Sequence, residues 1–326
     1  MQPTWQPAAG SGAALIQELS LAMYLGFGLV FFVVMALLLR AVFSPARPVR
    51  PRRWLVGGGL VFPGIVLGLL LAGSLAVGAA LTDYSGQGMF RYLLDCVSAS
   101  SRALGLGGPP PLRIEVTGRQ WWWQVRYLET DREYELANEL RLPAGRTVDV
   151  VLSSGDVIHS LWVPALAGKV DLIPGRVNRL RLKSDVPGEF RGNCAEYCGG
   201  QHAWMGLVVV VEPEEDFDRW RELQAQPAPP PHDDFLALGH DAFFRARCDE
   251  CHTVRGTPAV GTRGPDLTHV GSRRMLGAAL LDNHVGTLGG WIAGTQALKP
   301  GAHMPDTRVL DGRELRALSA WLRSLE

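Results

Sequence analysis

Positive charge is absent from the start of this chain, and over the whole length it is not in excess. Its 32 Lys and Arg balance 32 Asp and Glu for a formal charge of zero, so there is no net field to draw in a nucleic acid. The first 18 residues contain Glu18 and no Lys or Arg, which argues against a cleaved leader with a basic n-region. Residues 19–39 and 55–82 lack charge altogether, and each run exceeds the roughly 20 apolar residues that cross a bilayer. Acid is missing between them, where Arg40, Arg47, Arg50, Arg52 and Arg53 cluster. By the positive-inside rule that short loop faces the cytoplasm and both termini face outward. Trp54 and Tyr84 bracket the second run as interface anchors, and its glycines, Gly57 to Gly59, Gly64, Gly68, Gly73 and Gly78, favour close packing against a neighbouring helix. Cysteine is scarce: of five, four fall in two short motifs and Cys96 stands apart without an assigned role. In an oxidising compartment, thiols escape disulfide formation when metal or haem occupies them.

The period of the chain changes three times, and no internal repeat is present. Residues 1–18 form an outward segment, 19–82 a two-helix transmembrane hairpin, and 83–111 a Gly, Ser and Pro-rich connector with one short helix over 89–97. From residue 112 the period becomes two. Residues 112–117, 121–127, 147–152, 177–182 and 207–211 are short, β-branched or aromatic and bounded by turn residues, which predicts an all-β sandwich or barrel over 112–213. Residues 214–234 contain QAQPAPPPH at 224–232 and read as a Pro-rich, extended linker. Residues 235–326 turn helical. A helix over 235–247 leads into the second cysteine motif, and Asp311 with Glu314 caps a last helix whose Leu315, Leu318, Trp321, Leu322 and Leu325 share one face.

The first motif, CAEYCGGQHAWM, spans residues 194–205. Two thiolates four residues apart, Cys194 and Cys198, suit a bridge between two copper ions. His202 and Met205 supply soft terminal ligands. A second imidazole comes from His159, in DVIHSLWVP at a predicted strand end, and Glu196 offers its backbone carbonyl. A closed zinc site of Cys194, Cys198, His202 and His159 remains open on spacing alone. The second motif, CDECH, spans 248–252. Cys248 and Cys251 are placed to form thioethers with a haem, His252 to be its proximal ligand, and Met304 in KPGAHMPD to be the distal one. Met275, His269, His284 and His303 compete for that last position.

GRQWWW, DVIHSLWVPALAGKVDLIPGRVN and CAEYCGGQHAWMGLVV resemble subunit II of haem-copper cytochrome c oxidases. GPDLTHVGSRRM and WIAGTQALKPGAHMP resemble the cytochrome c domain fused to it in caa-type enzymes. The resemblance implies a multidomain membrane protein: a transmembrane hairpin, an all-β cupredoxin barrel and an all-α class I cytochrome c domain. It implies a dinuclear CuA centre on His159, Cys194, Cys198, His202, Met205 and the Glu196 carbonyl, and a covalent haem c. It further implies that the Glu196 carboxylate helps hold Mg or Mn at the boundary with subunit I, and that Trp121 is where electrons enter. One departure stands out: the glutamate that members with a lysine-type proton channel often carry near the start of the second helix is missing, so no proton uptake is assigned.

The function implied is electron transfer from haem c to CuA and on to subunit I, which reduces oxygen to water in a proton-translocating oxidoreductase of the bacterial cytoplasmic membrane. Partners are subunit I, other oxidase subunits and a soluble or membrane cytochrome donor, with no nucleic acid. Two rivals stay open: a CuA-bearing nitric oxide reductase subunit, and a copper-binding assembly protein.

Overall fold

The computed structural model describes residues 6–45, 50–84, 112–128 and 133–326. Cys96 and the short helix expected over 89–97 lie outside the described residues.

Two long apolar helices lead the chain. Helix α1 covers Ser11–Phe43, beginning eight residues before the charge-free run, and α2 covers Phe62–Tyr84. A short turn, Pro51–Arg53, and a π-helical stretch, Trp54–Val61, run directly into α2. Three successive glycines, Gly57 to Gly59, lie in this wide-turn segment, where an i to i+5 ladder replaces the usual one. Large side chains such as Tyr24, Phe32, Phe43 and Leu55 point outward and are well exposed, as lipid-facing residues would be. Gly73 faces α1, with Leu19 Cδ1 3.8 Å from where its Cβ would stand.

The start of the chain is bonded to the β domain. Ala9 and Gly10 both donate to Ala165 O, at 2.7 and 2.9 Å, and Ala13 N donates to Leu166 O at 3.2 Å. Ser184 Oγ donates to Ala9 O. A Cβ on Gly10 would stand 2.2 Å from Leu166 O, so only glycine permits this approach.

Among the described residues, ten strands form the sandwich. One sheet has the order β3-β2-β1-β5-β8 and the other β4-β10-β9-β6-β7. They are β1 Leu112–Arg119, β2 Trp122–Leu128, β3 Glu133–Ala137, β4 Glu139–Pro143, β5 Val148–Ser154, β6 His159–Trp162, β7 Val170–Leu172, β8 Asn178–Leu182, β9 Gly188–Cys194 and β10 Gly206–Glu212. Strand β1 alternates buried and partly exposed positions along its length, the mark of a sheet with one face on the core. Ile114, Val116, Trp123, Val125, Val150, Leu152, Leu161, Leu207 and Val209 fill the space between the sheets. The five expected strands are present, and the strand end expected at His159 is the start of β6; β3, β4, β7 and β9 are additional to the expected set. Strand β4 hid because its Glu139 and Arg141 are buried with the rest of it. The two ions pair at 2.9 Å, Arg141 lies 5.0 Å over the Trp220 ring, and Tyr127 Oη bonds both Arg141 N and Arg141 O.

The expected linker begins as a helix. Helix α3, Glu214–Gln224, buries Phe217 and Trp220 against the sandwich core. The Pro-rich run that follows is bonded down instead of extended free: Arg255 donates to Gln224 O and Ala225 O, and Ala228 N donates to Arg255 O.

The last domain is helical, with α4 Asp234–Arg245, α5 Val285–Ala293, α6 Thr295–Leu298 and α7 Gly312–Ser324. Helices α4 and α7 cross at Gly239, where a Cβ would meet Ala317 O at 2.1 Å. Phe243 and Trp321 meet edge to face beside the crossing. The Asp311 and Glu314 capping box is formed as expected. The domain departs from all-α in one hairpin, β11 Met275–Leu276 with β12 Leu281–Asp282. That hairpin lies on β10: Met275 and Ala279 pack with Val208 and Val210, Gly206 N donates to Ala278 O at 3.1 Å, and Arg274 N donates to Glu139 at 2.8 Å.

Candidate electron-transfer centres

Strands β9 and β10 are antiparallel neighbours, and the first motif is the loop that joins them. Cys194 N donates to Met205 O at 3.0 Å, which closes the loop at its base. Strand β6 pairs with β9, Leu161 opposite Cys194, and so delivers His159 to the same spot. There the expected ligands converge. Cys194 Sγ lies 3.9 Å from His159 Nδ1, 3.8 Å from Cys198 Sγ and 3.1 Å from Glu196 O. Cys198 Sγ lies 3.6 Å from His202 Nδ1 and 3.8 Å from Met205 Sδ. The thiols are free. The ligand atoms of His159, Cys194 and Cys198 all fall within 4.8 Å of one another.

The surroundings fit soft metal ions. His159, Cys194, Cys198 and Met205 are buried, so water is kept from the sulfurs. His159 Nε2 donates to Asp156 Oδ1 at 2.7 Å, which turns Nδ1 inward as an acceptor for a metal. Burial opposes charge on His159, but Cys194 and Asp156 hold its pKa above the ordinary value. The contact with Cys198 holds the Cys194 thiol well below the usual range and pushes Cys198 up, as for two sulfurs that share one proton until metal displaces it. A Cβ on Gly118 would stand 2.7 Å from His159 Cδ2, so the imidazole rests in a cradle that only glycine leaves open. Glu196 turns its carboxylate the other way, 3.7 Å from Lys169 Nζ at the surface.

Trp121 stands between the two domains. Its Nε1 donates to Cys198 O at 3.0 Å, and Gln120 Nε2 donates to the same oxygen at 2.8 Å. Its ring lies 6.1 Å from that of His303. Trp122 stacks beneath Arg119 and Trp123 is buried in the core, so the three tryptophans have three different places.

The second motif forms a tight turn after α4. His252 N donates to Cys248 O at 3.0 Å, and His252 Nδ1 contacts Pro265 O at 2.7 Å. That bond engages one ring nitrogen and leaves Nε2 for an iron. A Cβ on Gly264 would stand 2.6 Å from His252 Cε1, a second cradle closed to any side chain. Cys248 and Cys251 are free, and burial pushes the Cys248 thiol up to about 11. Met304 packs against the core of this domain, and Gln296 Nε2 fixes its loop by donating to Ala302 O and Met304 O. Each competitor is otherwise engaged: His269 bonds Gln226 O and Glu326 O, His284 caps α5, Met275 lies on β10, and His303 faces Trp121. Asp156, Gly118 and Gln120 were missed by sequence reasoning. Asp156 was readable, three residues before a candidate ligand; the other two act through pairings that no local pattern encodes.

Residues 128–212 match the family model of the cytochrome c oxidase subunit II periplasmic domain, and residues 236–326 that of cytochrome c. Cytochrome c oxidase subunit 2 of Alkalihalophilus pseudofirmus is 36% identical over 219 residues, 67% of this chain and 63% of that protein. The subunit 2 of Bacillus sp. strain PS3 is 31% identical over 223 residues, 65% of this chain and 62% of that one. The chain thus spans somewhat under two thirds of the length of these relatives. Among solved structures, the periplasmic domain of subunit II of cytochrome oxidase from Bradyrhizobium japonicum is 32% identical, covering 36% of this chain and 95% of that chain with a TM-score of 0.34. A β-sandwich carrying the sulfur loop, followed by a helical domain carrying CDECH, agrees with both family models: residues 128–212 belong with the cytochrome c oxidase subunit II periplasmic domain and residues 236–326 with cytochrome c.

Proposed function

We propose that the chain is the electron-transfer subunit of a caa-type haem-copper cytochrome c oxidase, relaying electrons from its cytochrome domain to its sulfur loop and on to subunit I, where oxygen is reduced. His159, Cys194, Cys198, His202, Met205 and the Glu196 carbonyl would hold a dinuclear copper centre. Cys248 and Cys251 would anchor a haem c, with His252 and Met304 as its axial ligands. When bound, these groups supply one-electron exchange at matched potentials.

The chain's own residues supply position and dryness. Asp156 orients His159, the buried sulfurs are shut off from water, and the bond from Cys194 N to Met205 O fixes the spread of the loop. One observation carries the reading: Trp121 bonds the carbonyl of Cys198 on one side and faces His303, the neighbour of Met304, on the other. An aromatic bridge of this kind shortens the gap between two redox groups.

Helices α1 and α2 would cross the cytoplasmic membrane, with the Arg-rich turn inside and both folded domains outside. The outward carboxylate of Glu196 would take Mg or Mn where subunit I meets this face. A soluble or membrane cytochrome would deliver electrons to the haem.

Elemental analysis and optical spectra of the purified full chain test the reading. It requires two coppers, a mixed-valent near-infrared band and one haem c. Zinc in the sandwich, or one exchangeable copper, would overturn it. Oxygen consumption by the intact complex is required as well, and turnover of nitric oxide alone would move the chain to a nitric oxide reductase.

A further inference from the structure

Lys299 is one of three lysines among 32 basic residues, and it is 3% exposed. Its Nζ donates to Trp121 O at 2.9 Å, Trp204 O at 2.8 Å and Gly277 O at 3.0 Å. The first two carbonyls belong to the β domain: Trp204 is part of the sulfur loop, and Trp121 bonds that loop at Cys198 O. The third is at the tip of the β11–β12 hairpin, in the same domain as Lys299. No carboxylate pairs with Lys299 among the described residues. An ammonium carries three N–H groups, and here each meets one carbonyl, which replaces the water lost on burial. A guanidinium, with a planar fork, does not suit three converging acceptors. Burial pulls the group down to about 8, which leaves it charged at neutral pH.

Backbone groups supply several of the hydrogen bonds around this lysine. Gly206 N donates to Ala278 O at 3.1 Å and Gln201 Nε2 donates to Pro300 O at 2.7 Å. Ala279 sits against Val208 and Val210. Gly277, Ala278 and Ala279 have φ of 64°, 68° and 59°, and two alanines in the left-handed region are strained. The hairpin tip holds this costly shape where it meets the β domain, and the shape aims the Gly277 carbonyl at Lys299. Lys299 also begins the loop that carries His303 and Met304, so whatever holds its ammonium sets the distance from that loop to Trp121.

We propose that Lys299 is an interdomain clamp, a positioning residue that locks the cytochrome domain on the copper domain with the His303 and Met304 loop against Trp121. Its role in electron transfer rests on the function proposed above; the docking itself does not. The Gly206 amide reports docking directly, because its hydrogen bond crosses between the domains.

The test is hydrogen exchange on the full chain, together with haem-to-copper transfer after flash reduction. Losing three charge-assisted hydrogen bonds in Lys299→Met should raise exchange at Gly206 roughly tenfold or more. Transfer should slow by a similar factor, with copper and haem spectra unchanged. Ala279→Asp, which puts a charge on the same contact without touching the lysine, should open Gly206 as well. If Ala279→Asp opens Gly206 and Lys299→Met leaves it at the parental rate, the clamp is overturned. Faster exchange with unchanged transfer overturns the positioning role, and loss of both spectra reduces Lys299 to a structural residue. Were the parent to bind neither metal nor haem, the proposed function would fail while the exchange measurement still decided the clamp.

Discussion

Asp156 accepts the hydrogen bond of His159 Nε2 at 2.7 Å while also accepting those of Gln120 N and Val157 N. One carboxylate thereby fixes the tautomer of a candidate ligand and the backbone ahead of Trp121. Asp156→Asn keeps the shape and removes the charge, and should weaken copper binding by about 10- to 100-fold. Competition against a chelator measures this, with circular dichroism showing the sandwich intact.

Gly118 leaves no room for a side chain beside His159, whose Cδ2 would be 2.7 Å from a new Cβ. Gly118→Ala should displace the imidazole and cost about 1–3 kcal/mol of overpacking. Denaturant unfolding reads the stability, and the copper band should fade in the same variant. A full-strength copper band would show that His159 lies outside the ligand set.

The candidate ligands Cys194, Cys198 and Met205 belong to one core and Cys248 and Met304 pack on another, so the two proposed centres should fail separately. Cys198→Ser should abolish the copper signal and spare the haem spectrum, while Met304→Ala should lower the haem potential and spare copper. Collapse of both spectra in either variant would contradict a two-module chain.

Trp121→Phe keeps a ring between the domains and removes the N–H that bonds Cys198 O. Electron arrival at copper should slow at unchanged metal content. Transient absorption after flash reduction of the haem measures it, and unaltered kinetics would take Trp121 off the route.

The Glu314 amide, followed by that of Arg313, holds the exposed Asp311 carboxyl below its usual range. Because the folded value is depressed, its contribution to helix α7 is present at neutral pH and fades as pH falls through that value. Asp311→Ala should lower the melting temperature of the cytochrome domain at pH 7 and narrow its gap to the parent in acid. Thermal scans followed at the haem absorbance report this domain alone.

Much of this was legible in the residues. CAEYCGGQHAWM and CDECH are local, so their spacing alone marked Cys194, Cys198, His202, Met205, Cys248, Cys251 and His252 as candidate ligands, and a charge-free run needs no partner to be recognised. The Asp311 cap is likewise written within four residues. What escaped depends on pairing across the chain. Strand β4 buries Glu139 and Arg141 because each neutralises the other, so its composition looked like surface. Helix α3 reads as linker because Phe217 and Trp220 are its sole large apolar anchors, set among acidic and other polar residues. Lys299 gave no signal at all, since its three acceptors come from residues 121, 204 and 277.

The backbone bonds of Ala9, Gly10 and Ala13 to the 165–166 turn join the first helix to the sandwich without a swivel. Any tilt or rotation of that helix must therefore be transmitted, as by a mast stepped into its deck, to the sulfur loop some strands away. On the membrane placement proposed above, height over the lipid and heading toward a neighbouring subunit would become properties of the anchor itself.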